Sequence, residues 1–74
     1  MIEKIIFEVR FLDGNGNLVF DLKKARRLVK NGFSLVAIGS LKETPGKVTR
    51  TSEISEFVTK KKFKTKNSLY VIGD

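Results

Sequence analysis

Apolar and polar positions alternate along the start of the chain. Ile5, Phe7, Val9 and Phe11 fall on one side, and Ile6, Glu8, Arg10 and Leu12 on the other. A period of two predicts a half-buried β-strand over about residues 2–12. The run Asp13-Gly14-Asn15-Gly16-Asn17 ends it, because these residues accept positive φ and cap their own turns. Leu18-Val19-Phe20 is then placed to fold back on the first strand as a hairpin.

The period changes after Asp21, whose carboxylate can accept from the open amides of a first helical turn. Leu22, Ala25, Leu28 and Val29 recur at helical spacing, and Asn31-Gly32 supplies a left-handed stop. At about 100° per residue these apolar side chains share one arc. Lys23, Lys24, Arg26, Arg27 and Lys30 fill the other, so the spacing predicts an amphipathic helix at about residues 21–31 with a cationic outer face.

Phe33 to Leu41 is almost continuously apolar, the pattern of a central strand covered on both faces. Glu43-Thr44-Pro45-Gly46 reads as a turn. Beyond it, Val48 to Val58 is rich in Thr, Ile and Val and is expected to be extended. Residues 52–62 fit two descriptions, since Ile54, Phe57 and Val58 also match a helical spacing that Ser52 could cap. Lys60-Lys61-Lys62 gives such a helix no continuing apolar face, which favours a strand and then a charged turn near Thr59–Lys62. A last strand is predicted from Phe63 to Ile72, with Phe63, Thr65, Asn67, Leu69 and Val71 on one side and Lys64, Lys66, Ser68, Tyr70 and Ile72 on the other.

These elements describe one small α+β domain over residues 1–74: a mainly antiparallel sheet of four to five strands with one helix after the first hairpin. Short strands separated by turns also leave a barrel-like closure open. The expected core is Ile5, Phe7, Val9, Phe11, Leu22, Ala25, Leu28, Val29, Leu35, Ala37, Phe57, Leu69 and Val71.

The segment Arg50-Thr51-Ser52-Glu53-Ile54, followed by Thr65-Lys66-Asn67-Ser68-Leu69-Tyr70-Val71-Ile72, resembles the end of many small bacterial and phage-encoded proteins. In those, a Thr-Ser-hydrophobic strand precedes a terminal strand with a Thr-x-x-Ser-x-Tyr pattern. The resemblance covers about a third of the chain. It implies a β-hairpin ending and no particular chemistry.

Composition narrows the chemistry. The chain has no Cys, which excludes disulfide scaffolds and thiolate zinc modules, and no His, the commonest general base and metal ligand. The acids Glu3, Glu8, Asp13, Asp21, Glu43, Glu53, Glu56 and Asp74 are scattered, and no nucleophile elbow or phosphate loop is present. Asp13 to Asn17 resembles the start of a calcium loop, but Leu18 and Lys24 stand where that loop needs its Gly and bidentate Glu. A glycine-rich hairpin turn explains the run better. No catalysis, cofactor or metal is therefore expected. Charged residues interrupt the apolar N-terminal stretch, and no apolar run approaches the ~20 residues that span a bilayer. A cytoplasmic protein without membrane attachment is the expectation.

Charge makes the reading more specific. Fifteen Lys and Arg against eight Asp and Glu give +7, and the excess is clustered. One cluster is the helix arc; the other is Lys60, Lys61, Lys62, Lys64 and Lys66 near the end of the chain. Such surfaces attract phosphates by Coulomb attraction and counterion release. Lysine suits backbone contact, whereas Arg26 and Arg27 can also make bidentate contacts. Phe63 and Tyr70 could stack on unpaired bases if exposed, although Phe63 fits a core position better. The expected function is a non-catalytic nucleic-acid-binding module whose contact residues are Lys23, Arg26, Arg27, Lys30, Lys60, Lys61, Lys62, Lys64 and Lys66. The alternative is a protein-interaction module, a regulator or inhibitor of the phage or mobile-element type, that binds an acidic partner. An unpaired edge strand also leaves homodimerisation open.

Overall fold

The computed structural model describes residues 2–73. It is an α+β structure with strands β1 (Ile2–Asp13) and β2 (Leu18–Val19), helix α1 (Leu22–Lys30), and strands β3 (Leu35–Leu41), β4 (Val48–Glu53), β5 (Glu56–Thr59), β6 (Lys62–Lys64) and β7 (Ser68–Ile72). All seven strands join one sheet in the order β4-β3-β1-β7-β6-β5, with β2 paired to β1 off this path. Every pairing is antiparallel except that of β1 with β7, which is parallel.

The strand count exceeds the expected four to five because two predicted strands are each divided. The extended run from Val48 bends at Ile54-Ser55, so its first part pairs with β3 and its second with β6. The Ile54 amide donates to the Leu35 carbonyl at 2.8 Å, and the next amide, Ser55, donates to the Lys64 carbonyl at 2.7 Å. Within two residues the chain passes from one end of the sheet to the other, which curls the sheet. The sheet is nevertheless not a closed barrel. β4 and β5 follow each other end to end instead of lying side by side, so no ladder joins them. The predicted Phe63–Ile72 strand is likewise a hairpin, β6 and β7, that pairs Phe63 with Tyr70 and Lys64 with Leu69.

The parity of β1 departs from the simple alternation. Ile6 and Phe11 are both fully buried, although their spacing is odd. Ile6 and Phe7 pair with Leu41 and Ser40, whereas Arg10 and Phe11 pair with Ile38 and Ala37, so Glu8 and Val9 together oppose Gly39. This β-bulge turns the strand over. Glu8 takes a positive φ of 53°, a conformation that costs a non-glycine residue about 1–2 kcal/mol. As a result Ile5 and Phe7, expected in the core, are only half-buried, and Ile6 replaces them. The Thr65–Asn67 turn reverses the chain in the same way. Leu69 and Val71 leave the core, and Tyr70 and Ser68 enter it.

The core consists of Ile6, Phe11, Val19, Ala25, Leu35, Ala37, Ile54, Phe63 and Tyr70, with Val9, Leu22, Leu28, Val29, Leu41, Phe57 and Ile72 packed against it. β3 buries Leu35, Ala37 and Gly39 but leaves Val36, Ile38 and Ser40 half-buried, so one face is covered and not both. α1 packs against β5, β2 and β3. Fully buried Ala25 brings the helix backbone close to the strands, since a methyl group adds little thickness.

The two turns that flank α1 form as their residue types require. Asp21 caps the helix by accepting from the Lys23 amide at 2.9 Å. At the other end, the Gly32 amide donates to the Val29 carbonyl and the Phe33 amide to the Leu28 carbonyl, both at 3.0 Å. This is the Schellman arrangement, and it needs the φ of 85° that Gly32 adopts without strain. In the hairpin turn, Asp13 Oδ1 accepts from the amides of Asn15 and Asn17, each at 2.9 Å. The carboxylate is thus committed to its own turn, and among the described residues no three His, Cys, Asp or Glu side chains gather as a metal site.

The hydrogen bond from the Asn17 amide, helped by those from the Asn15 amide and the Asn17 side chain and by the charge of Lys24, holds the Asp13 carboxyl below its ordinary value. A carboxyl with a lowered folded pKa stabilises the fold fully above its unfolded value of about 3.9, and this contribution disappears as pH falls through the lower folded value. Asp13→Asn keeps an oxygen acceptor but removes the titration. Urea melts at successive pH values should show the variant losing less stability than the parent below about pH 4. Parallel losses in the two proteins would contradict the assigned cause.

Candidate nucleic-acid interface

Lys23, Arg26, Arg27 and Lys30 stand at positions i, i+3, i+4 and i+7 of α1, which places them on one stripe of the helix. That stripe does not project straight into solvent. It forms one wall of an open cleft of about 560 Å³, whose other residues are Val29 and, from β5 and the bend before it, Ser55, Glu56 and Phe57. The cleft exists because the Ile54-Ser55 bend carries β5 beside the helix, where the apolar side of α1 packs against it. Lys24 lies outside the stripe, and its charge acts on Asp13 instead.

Among the described residues, none of the four helix cations has a carboxylate oxygen within 4.0 Å. Glu56 is the acid that lines the cleft, and its Oε1 lies 3.6 Å from Lys64 Nζ across the β5–β6 pair. Both side chains are substantially exposed, so this ion pair contributes little to stability. It does partly neutralise the only negative charge among the cleft residues.

The lysines of the second cluster do not converge on this cleft. Lys60 and Lys61 occupy the β5–β6 turn. Lys62 and Lys64 alternate with buried Phe63 and so point away from the core, Lys64 reaching the edge of the cleft through Glu56. Lys66 lies in the β6–β7 turn and does not line the cleft; it borders a neighbouring depression with Ser52, Glu53, Ile54, Asn67 and Ser55, the last shared with the cleft. The nine predicted contact residues therefore separate into one coherent stripe of four and five dispersed lysines.

Phe63 and Tyr70 are not available as stacking platforms. Phe63 has no exposed surface and Tyr70 only 6%, and their rings stack on each other at 5.1 Å with 15° between planes. The aromatic residue at the cleft is Phe57, which the sequence pattern assigns to the core alone. Its alternation with Glu56 and Val58 marks an inward position, but the bend that opens its ring to the helix stripe has no periodic signature. Among the described residues, no helix is long and apolar enough to cross a membrane. Comparison of the chain with known protein families, curated proteins and solved structures finds no match.

Proposed function

We propose that the protein is a non-catalytic module that binds nucleic acid mainly through the phosphate backbone. The observation that carries this reading is the convergence of Lys23, Arg26, Arg27 and Lys30, with no acidic partner among the described residues, on one wall of an open cleft. Their spacing along a rigid helix presents four cations in a line that a phosphate backbone can follow, and the two guanidinium groups add forked donors. The lysines of the β5–β7 region add to the attractive field without belonging to the contact line.

Fluorescence anisotropy with a labelled mixed-sequence oligonucleotide tests this directly. Four phosphate contacts on a single strand give a slope of log affinity against log salt of about −3. Replacing both arginines, Arg26→Glu with Arg27→Glu, is expected to weaken binding at low salt by about tenfold or more. It should also flatten the slope by about 0.7 for each phosphate that is no longer neutralised. Lys66→Glu, outside the cleft lining, should cost less. Binding that is indifferent to salt, or unaffected by the double reversal, would overturn the reading.

A further inference from the structure

We propose that the α1–β5 cleft takes an unpaired nucleotide, with its base against Phe57 and its phosphates along the helix stripe, so that the module prefers single strands to duplexes. The inference rests on the nucleic-acid reading above and specifies its ligand class.

Three observations carry it. The first is the composition of the cleft, where Val29 of α1 and Phe57 of β5 supply apolar surface in a lining that also holds four cations, Ser55 and Glu56. A purely electrostatic site needs no aromatic ring. A site for an unpaired base needs a flat apolar surface next to positive charge. The cleft's volume of about 560 Å³ also falls within the range of small-ligand sites.

The second is the support behind the ring. Phe57 is half-buried, and it packs edge-on against Phe11 at 6.0 Å and tilted against Phe63 at 5.6 Å. Phe11 and Phe63 are fully buried. The Phe57 ring is thus fixed from behind by the core, and a base stacking on it costs little ordering of the protein.

The third is the polarity of the cleft. The four cations stand on the helix side, whereas Glu56, even paired with Lys64, leaves the β5 side without net positive charge. Phosphates are therefore better held along the helix and the base over β5. There the Glu56 carboxylate can accept a hydrogen bond from an amino group on a base edge. A duplex can offer a base-edge amino group in its major groove but not a free base face, because its bases are stacked on one another, so the contact with Phe57 is what separates single strands from duplexes.

The test compares three probes of equal length by anisotropy at one salt concentration: a single-stranded oligonucleotide, its abasic counterpart, and the same sequence as a duplex. The parent protein should bind the single strand about tenfold more tightly than the abasic strand, the difference being base stacking. Phe57→Leu keeps an apolar side chain against the core but removes the flat ring. It should lower single-strand affinity to the abasic level while abasic and duplex binding stay unchanged, and Phe57→Tyr should restore the preference. Equal affinity of the parent for single and abasic strands, or unchanged single-strand binding by a folded Phe57→Leu variant, would overturn the proposal while leaving backbone binding intact. Absence of binding to all three probes would overturn the nucleic-acid reading itself.

Discussion

Phe63→Ala is expected to destabilise the protein by about 3–5 kcal/mol, the usual cost of removing a fully buried aromatic ring. Phe63 has no exposed surface and sits at the centre of an aromatic cluster. Its ring stacks on Tyr70 at 5.1 Å, tilts against Phe57 at 5.6 Å and meets Phe11 edge-on at 6.3 Å. Such pairs contribute about 0.5–1.5 kcal/mol beyond the area they bury. A domain of this length has a total stability of roughly 4–11 kcal/mol, so the loss is a large share of it. The cluster also joins β1, β5, β6 and β7, leaving no single element free to collapse into the cavity. Urea denaturation followed by circular dichroism gives the number, and Tyr70, the only tyrosine in a chain without Trp, reports the same event by its fluorescence. Phe63→Leu should cost much less. A loss below about 1 kcal/mol for the alanine variant would contradict the packing described, since core truncations of this size cost several times more.

Gly39→Ala is expected to have the second largest effect, through overpacking and not through a cavity. A Cβ on Gly39 would lie 2.6 Å from the Phe7 carbonyl oxygen and 2.8 Å from Ile6 Cγ1, closer than atoms can approach. The glycine stands opposite the Glu8–Val9 bulge, where β1 bends onto β3. Relief requires the two strands to separate where β1 turns over, and overpacking of this kind costs about 1–3 kcal/mol. Gly39→Val should be worse, because its branches point into the same space. Hydrogen exchange should localise the damage to amides of Ile6 through Phe11. A variant as stable as the parent would show that the bulge can open without cost.

Local chemistry made much of this fold legible in the sequence. The caps of α1, its apolar arc, the Asp13–Asn17 turn and the extended character of Val48–Val58 follow from residue types and their spacing. The illegible part comes from places where regular alternation is interrupted without a strong breaker. Glu8 adopts positive φ although it is not glycine, and every side chain before it changes face. Thr65-Lys66-Asn67 turns the chain with neither Gly nor Pro. The helix stripe was visible as a periodic cationic arc, but its opposite wall of Ser55, Glu56 and Phe57 is assembled by a bend between two strands. No local pattern encodes that juxtaposition.

The parallel pairing of β1 with β7 has a consequence for how the molecule comes to be folded. Ile2 lies opposite Ser68 and Ile6 opposite Ile72, so the middle strand of the sheet is completed on one side by the last strand. Contacts of such long sequence separation place a chain among the slower small folders, because loop entropy is lost before the pairing can compensate. During synthesis, β1 can dock on β3 early but must wait for β7. Throughout that interval Ile5, Ile6 and Phe7 border an open edge, and the chain's excess positive charge repels other copies that could pair with it.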